Sequence, residues 1–68
     1  MAQFLIYFSD GFDIIDKANY YGDKKSAIKY AKDCGNKLSG CREISVYYNG
    51  SMKSAGMFEK KGSKWYKW

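Results

Sequence analysis

The sequence predicts an α+β fold: a single small domain, residues 1–68, with one helix packed across an antiparallel sheet of three to five strands in the order β(β)αβββ. Three observations predict it. One segment has helical periodicity, several others alternate or are rich in β-forming residues, and glycine-containing turns separate the strands. The chain has seven tyrosines, four phenylalanines and two tryptophans, so even a small core has large side chains to bury.

The first strand is predicted at residues 3–8 (QFLIYF), which are rich in β-formers and apolar on both faces, as is typical of a central or covered strand. An Asp-Gly turn signal follows, and the next apolar residues return as a short second strand. In a two-residue hairpin, Ile15 would pair with Ile6. An irregular loop is the alternative to this hairpin. Residues 17–22 are predicted to form a connecting loop whose tyrosines cover an edge of the core.

The helix is predicted from Asp23, its N-cap, to about Cys34, with Gly35 or Gly40 as its left-handed terminator. Apolar residues recur on one side of this helix at spacings of three and four, and lysines recur on the other. The apolar side therefore packs on the core, and the lysines face solvent or a partner. The apolar side comprises Ala27, Ala31, Cys34 and Leu38, and the lysine stripe comprises Lys25, Lys29 and Lys32.

The next strand is predicted at residues 42–48, which alternate cleanly between apolar and other side chains. Asn49 and Gly50 then form a strong signal for a two-residue hairpin turn. The strand that follows runs from about residue 51 to 59, and Gly56 inside it marks a β-bulge.

The last strand is predicted at residues 64–68. With Lys61 and Gly62 as a two-residue turn, Phe58 pairs with Trp65. Tyr66 or Trp68 is expected in the core, whereas for Trp65 a core position and an exposed position are both retained as alternatives. The helix covers only part of the sheet, so the other face is partly exposed. Strand parity makes its candidate residues Tyr47, Met52, Phe58, Trp65 and Lys67.

The residue types argue against catalysis. The chain has no histidine, and so lacks the usual general base near neutral pH. Cys34 and Cys41 have no evident activating partner, and we expect them to remain reduced. Three aspartates in the N-terminal part lack the spacing of a calcium loop, and no glycine loop has phosphate-binding spacing. We therefore expect no enzymatic activity, no bound metal and no cofactor.

Charge is unevenly distributed along the chain. Residues 1–23 contain four aspartates and one lysine, whereas residues 24–68 contain ten lysines and one arginine against three acidic residues. This asymmetry is typical of an oriented encounter with an anionic partner, and ordinary solubility is the alternative explanation. Lysines alternate with large aromatics in the final run KKGSKWYKW, a composition used for single-stranded nucleic acid and for protein interfaces. The candidate partner-binding residues are Lys25, Lys29, Lys32, Lys60, Lys61, Lys64, Trp65, Lys67 and Tyr47.

Three stretches resemble small phage-encoded anti-CRISPR proteins of β-α-β-β layout that act on type I-F surveillance complexes: the helix SAIKYAKD, the strand and turn REISVYYNG, and the final KGSKWY. The resemblance implies a non-enzymatic inhibitor that docks on a host CRISPR effector complex where target DNA would be gripped. The lysines of the helix and the C-terminal hairpin would be the contacting groups.

Two alternatives to the inhibitor hypothesis stay open. One is a module that binds single-stranded nucleic acid directly and without sequence preference, and the other is a homodimer formed through an exposed strand or aromatic face. No apolar run approaches membrane-spanning length, and the first residues lack signal-peptide features. We therefore expect a cytoplasmic protein, in the host cytoplasm if phage-encoded, with no membrane partner.

Overall fold

The computed structural model describes residues 2–51 and 53–68. Its elements are β1 (Ala2–Ser9), β2 (Ile14–Gly22), α1 (Lys24–Lys37), β3 (Glu43–Tyr48), β4 (Ser54–Lys61) and β5 (Lys64–Lys67). The strands form one antiparallel sheet in the spatial order β2-β1-β3-β4-β5, and α1 packs across one of its faces. The predicted α+β fold is therefore confirmed, with all five strands present. Met52, a predicted open-face residue, lies outside the described residues.

The core lies between α1 and the face of the sheet that it covers, which we call the inner face. Strands β1 and β3 supply its large side chains, and the helix supplies small residues that let its backbone approach the sheet closely. Burying each large apolar side chain stabilises the fold by about 1.5–3 kcal/mol. The fully buried large residues are Phe4, Ile6, Phe8, Ile44 and Val46, and the buried helix residues are Ala27, Ala31 and Gly35.

The helix begins as predicted but ends later. The Asp23 carboxylate accepts the backbone N–H of Ser26 at 2.7 Å, which confirms Asp23 as the N-cap. Gly35 lies inside the helix, which continues to Lys37. A Cβ at this position would come within 2.9 Å of Ile44 and Trp65 side-chain atoms. Its role is therefore close packing, and the predicted end near Cys34 is wrong. Gly40, with φ +81°, lies in the turn after the helix.

Strand β2 is longer than predicted and pairs in a different register. The segment expected to be a connecting loop, residues 17–22, forms the last six of its nine residues, and Ile6 pairs with Ala18, not with Ile15. The connection from β1 is a wider turn, in which the Asp10 carboxylate accepts the N–H groups of Asp13 and Phe12, both at 2.8 Å. These two hydrogen bonds lower the pKa of Asp10. The turn moves the strand register, so β2 pairs along the whole of β1.

The β3–β4 connection turns at Asn49 and Gly50 as expected, but the prediction of a two-residue hairpin is wrong and the bulge is shifted. Gly50 has φ +86°, and the N–H of Ser51 donates to the carbonyl of Tyr48 at 3.4 Å. Strand pairing resumes only where the Tyr48 N–H donates to the carbonyl of Lys53 at 2.8 Å, so the loop is longer than two residues. The bulge residue is Ala55, next to the predicted Gly56.

The last hairpin turns one residue later than expected, which shifts the partner of each paired residue by two positions. Its turn contains Gly62, with φ +65°, and Lys61 pairs with Lys64 across it. Trp65 consequently pairs with Lys60, and the predicted partner of Trp65, Phe58, pairs with Lys67. A slip of two residues keeps every side chain on the same face, since side chains alternate with a period of two.

Candidate binding surfaces

Trp65 occupies the inner face of the sheet and contacts the helix. Its indole Nε1–H donates to the Asn36 side-chain oxygen at 2.9 Å, and its six-membered ring covers the helix at Gly35. Phe58 lies on the same face and is only 6% exposed, so neither residue is on the open face, contrary to the prediction. Parity puts both residues on the face that α1 covers.

The two other C-terminal aromatics are exposed, although one of them was expected in the core. Tyr66 is 49% exposed and Trp68 is 63% exposed. Tyr66 alternates with Trp65 along β5 and so points to the face that the helix does not cover. Of the three rings, Trp65 is the one that packs against the core.

Three of the predicted lysines gather around Phe58 and Trp65, although they come from different elements. The Lys32 ammonium on α1 lies 4.6 Å from the centre of the Phe58 ring, and the Lys60 ammonium on β4 lies 5.5 Å from the Trp65 ring. Lys67 on β5 pairs directly with Phe58, so it lies on the covered face and not on the open face for which it was predicted. Each cation–π contact contributes about 0.5–1 kcal/mol at an exposed site. We call Lys32, Lys60 and Lys67 the helix-side lysine cluster.

Two further lysines of the last hairpin point to the other face. Lys61 and Lys64 lie opposite each other at the tip of the hairpin, and alternation separates them from Lys60 and Lys67. Lys61 also forms an exposed ion pair with Glu59 at 3.7 Å. The hairpin therefore divides its lysines between two surfaces.

The remaining helix lysines are exposed. The Lys29 ammonium lies 3.4 Å from the Asp33 carboxylate, one turn further along the helix, in a contact worth about 0.3–0.5 kcal/mol. Lys25 is exposed in the first turn of α1. Among the described residues, neither ion pair involves a member of the helix-side lysine cluster. Those three charges are therefore free to meet an anionic group.

The outer face of the sheet, which α1 does not cover, carries tyrosine and aliphatic side chains. A shallow concavity of about 330 Å³ lies over Leu5, Tyr7 and Tyr47, with Ile14 at its rim. The rings of Tyr7 and Tyr47 meet edge to face, with centroids 5.9 Å apart. Tyr47 was predicted for the open face. The other three were not among the site candidates, although the alternation of residues 3–8 already separates Leu5 and Tyr7 from the buried phenylalanines.

The described residues assemble no cluster of potential metal ligands. No group of three or more histidine, cysteine, aspartate or glutamate side chains comes together within residues 2–51 and 53–68. Both cysteines are free thiols, and burial raises the pKa of the Cys41 thiol, which disfavours its reactive thiolate form. No helix in this part of the chain is long and apolar enough to cross a membrane. What the described surface does offer is charge and exposed aromatic rings.

No protein family, curated protein or solved structure matches this chain.

Proposed function

We propose that this protein is a non-enzymatic inhibitor that docks on a host nucleoprotein complex of the CRISPR effector class through the helix-side lysine cluster. The observation that supports it best is the convergence of Lys32, Lys60 and Lys67 around the rings of Phe58 and Trp65. The lysine cluster supplies the binding surface, and the inhibitor role is the one that the resemblance to anti-CRISPR proteins implies.

The geometry of the cluster favours binding to a negatively charged group. Lys32 and Lys60 each hold their ammonium above an aromatic ring, so they lose less conformational freedom on binding than unrestrained lysines would. Trp65 is fixed by its hydrogen bond to Asn36 and by its contact with the helix. A rigid ring bordered by cations suits phosphate or carboxylate groups next to a flat or apolar surface.

Charge also restricts where such a protein would dock. The groove that grips DNA in an effector complex is itself positively charged, so it would repel a lysine cluster. The complementary surfaces on a nucleoprotein complex are its exposed nucleic acid and its acidic protein patches. The proposed inhibitor therefore contacts one of these and blocks target DNA by steric exclusion beside the groove.

The test uses purified protein, a type I-F surveillance complex and fluorescently labelled target DNA. We expect the protein to reduce DNA binding, and the triple variant Lys32→Glu, Lys60→Glu, Lys67→Glu to inhibit about 10–100-fold less well, since three lost contacts of about 0.5–1 kcal/mol each multiply. Circular dichroism verifies that the variant is folded.

A matched control reverses three exposed lysines outside the predicted site: Lys24→Glu, Lys37→Glu and Lys53→Glu. These positions are exposed, so the control has the same net charge with the cluster intact. The proposal requires the control to inhibit like the unmodified protein. Equal loss in both variants would show that only net charge matters, and absence of inhibition by the unmodified protein would reject the proposed complex.

Direct binding to single-stranded nucleic acid is the second candidate, favoured by the position of Trp65 next to two lysines. Three phosphate contacts predict a slope of about −2 for the logarithm of affinity against the logarithm of salt concentration. Fluorescence anisotropy with a labelled oligothymidine measures this slope. Absence of binding at low salt would eliminate this candidate and leave the docking proposal intact.

A further inference from the structure

Strand β2 forms one edge of the sheet, and within the described residues no strand pairs with its outer side. It spans nine residues, Ile14–Gly22, and contains no proline. Such an edge presents unpaired backbone groups and can pair with another chain. The opposite edge is different, because β5 has only four residues and two of them are lysines, Lys64 and Lys67. Short, lysine-bearing strands are a common protection against edge pairing.

The pairing of β1 shows which backbone groups of β2 face outward. The carbonyls of Gln3 and Ser9 accept N–H groups from Asn49 and Arg42, at 2.9 and 2.8 Å, so these residues of β1 direct their polar groups to β3. Because these groups alternate along an antiparallel strand, Ala2, Phe4, Ile6 and Phe8 direct theirs to β2. Because the two residues of such a pair bond each other, the β2 partners with inward groups are Asp16, Ala18, Tyr20 and Gly22.

The outward groups of β2 therefore belong to Lys17, Asn19 and Tyr21. An independent contact agrees with this, since the Lys17 N–H donates to the carboxylate of the neighbouring Asp16 at 2.8 Å, at an exposed position. Pairing with another strand would exchange this exposed local contact for a backbone hydrogen bond.

We propose that β2 pairs with β2 of a second copy of this chain, antiparallel and centred on Ala18, so that the two sheets become one continuous sheet. Ala18 is the middle residue of the strand, so this register pairs its whole length. Lys17 of each copy meets Asn19 of the other, and their outward groups form four backbone hydrogen bonds. Tyr21, which is 69% exposed, comes opposite the bulge residue Ile15, which is 40% exposed.

Charge and symmetry favour this register. A two-fold axis perpendicular to the sheet keeps both helices on one side. It allows only registers in which each residue's partner shifts by two positions, and each such shift moves the centre of the interface by one residue. Centring one residue earlier would put Lys17 directly opposite Lys17 of the second copy, and like charges in that position are destabilising. In the register centred on Ala18, Lys17 faces a neutral amide and Asp16 faces the Tyr20 of the other copy.

The dimer leaves the helix-side lysine cluster exposed, because β4 and β5 lie at the far side of the sheet from β2. The inference is therefore independent of the proposed function. Light scattering coupled to size exclusion measures the mass over about a hundredfold range of concentration. We expect a dimer of twice the 7.8 kDa chain mass at high concentration. A monomer throughout the range would overturn the proposal.

Asn19→Pro removes an outward N–H and none of the bonds between β1 and β2, so it should fold and remain monomeric. Asn19→Ala keeps that N–H and should still dimerise, and a dimer of folded Asn19→Pro would contradict the proposed interface.

Cross-linking tests the register without relying on proline. In a background with Cys34→Ala and Cys41→Ala, the substitution Ala18→Cys places two thiols in a pair with Cα atoms about 4.5 Å apart, within disulfide range. Asn19→Cys in the same background leaves the thiols diagonal, about 7–8 Å apart, and should not cross-link. Cross-linking of Asn19→Cys but not Ala18→Cys would refute this register.

Discussion

The substitution Gly35→Ala tests the contact between the helix and Trp65 that positions the helix-side lysine cluster. An added Cβ would lie 2.9 Å from Cδ1 of Ile44 and 2.9 Å from Cζ2 of Trp65. Neither neighbour moves freely, because Ile44 is 1% exposed and Trp65 is held by its hydrogen bond to Asn36. The substitution therefore overpacks the interface between helix and sheet.

Two effects of opposite sign decide the result. Alanine favours the helix interior by about 0.8–1 kcal/mol relative to glycine. Overpacking a closely packed core costs about 1–3 kcal/mol. The expected net loss in the free energy of unfolding is about 1 kcal/mol, which lowers the melting temperature by about 4–8 °C in a domain of this size.

Urea unfolding followed by circular dichroism measures this loss. Lys37→Ala, at an exposed position of the same helix, is the control and should change stability by less than about 0.5 kcal/mol. Adding Trp65→Phe removes the indole atoms that the new Cβ would strike and leaves Cδ1 of Ile44 in place, so the Gly35→Ala penalty should shrink in that background without vanishing. A Gly35→Ala protein more stable than the unmodified one by about 0.8–1 kcal/mol, the full helix-propensity gain, would refute the close approach to the helix.

Three further predictions concern other parts of the fold. Phe8→Ala empties a position that is 1% exposed and costs about 3–5 kcal/mol, comparable to the whole stability of a domain this small, so its circular dichroism should be that of an unfolded chain. Asp23→Ala removes the helix N-cap and lowers the melting temperature at neutral pH. Hydrogen bonding from Ser26 lowers the pKa of Asp23 below its ordinary value of 3.8. The stabilisation that this carboxylate provides is therefore present above pH 3.8 and is lost as the pH falls through the lower folded-state pKa. Equal melting temperatures of the Asp23→Ala and unmodified proteins at neutral pH would contradict this. In a Cys34→Ala protein, Cys41 should react with iodoacetamide more slowly when folded than in urea, because burial blocks access and raises its pKa, and equal rates would show that the thiol is accessible.

Several elements could be predicted from the sequence because their signals are local. The apolar residues of α1 recur within one or two turns, and the Asp23 cap acts on an N–H three residues away. Alternation identifies β1 and β3, since the side-chain period of a strand is visible in six residues. Composition likewise identified lysine and the large aromatic residues as the residue types of the candidate site.

Cross-strand register and the grouping of the site depended on tertiary structure. Residues 17–22 carry weak strand signals, and they become most of β2 because β1 offers them a complete partner. The alternation of β5 separates Trp65 from Tyr66, but only the position of the helix decides which of them is covered. The same choice puts Lys60 beside Lys32 and leaves Lys61 on the other face.

The physical reason is the range over which each preference acts. Helix periodicity, capping and turn chemistry depend on residues a few positions apart, so the sequence by itself determined the element types and most of the core. Register and surface composition depend on the sum of contacts between segments distant in the chain, such as Trp65 with Asn36. The tertiary structure therefore decided which lysines meet, which aromatic ring supports them and which strand edge stays open.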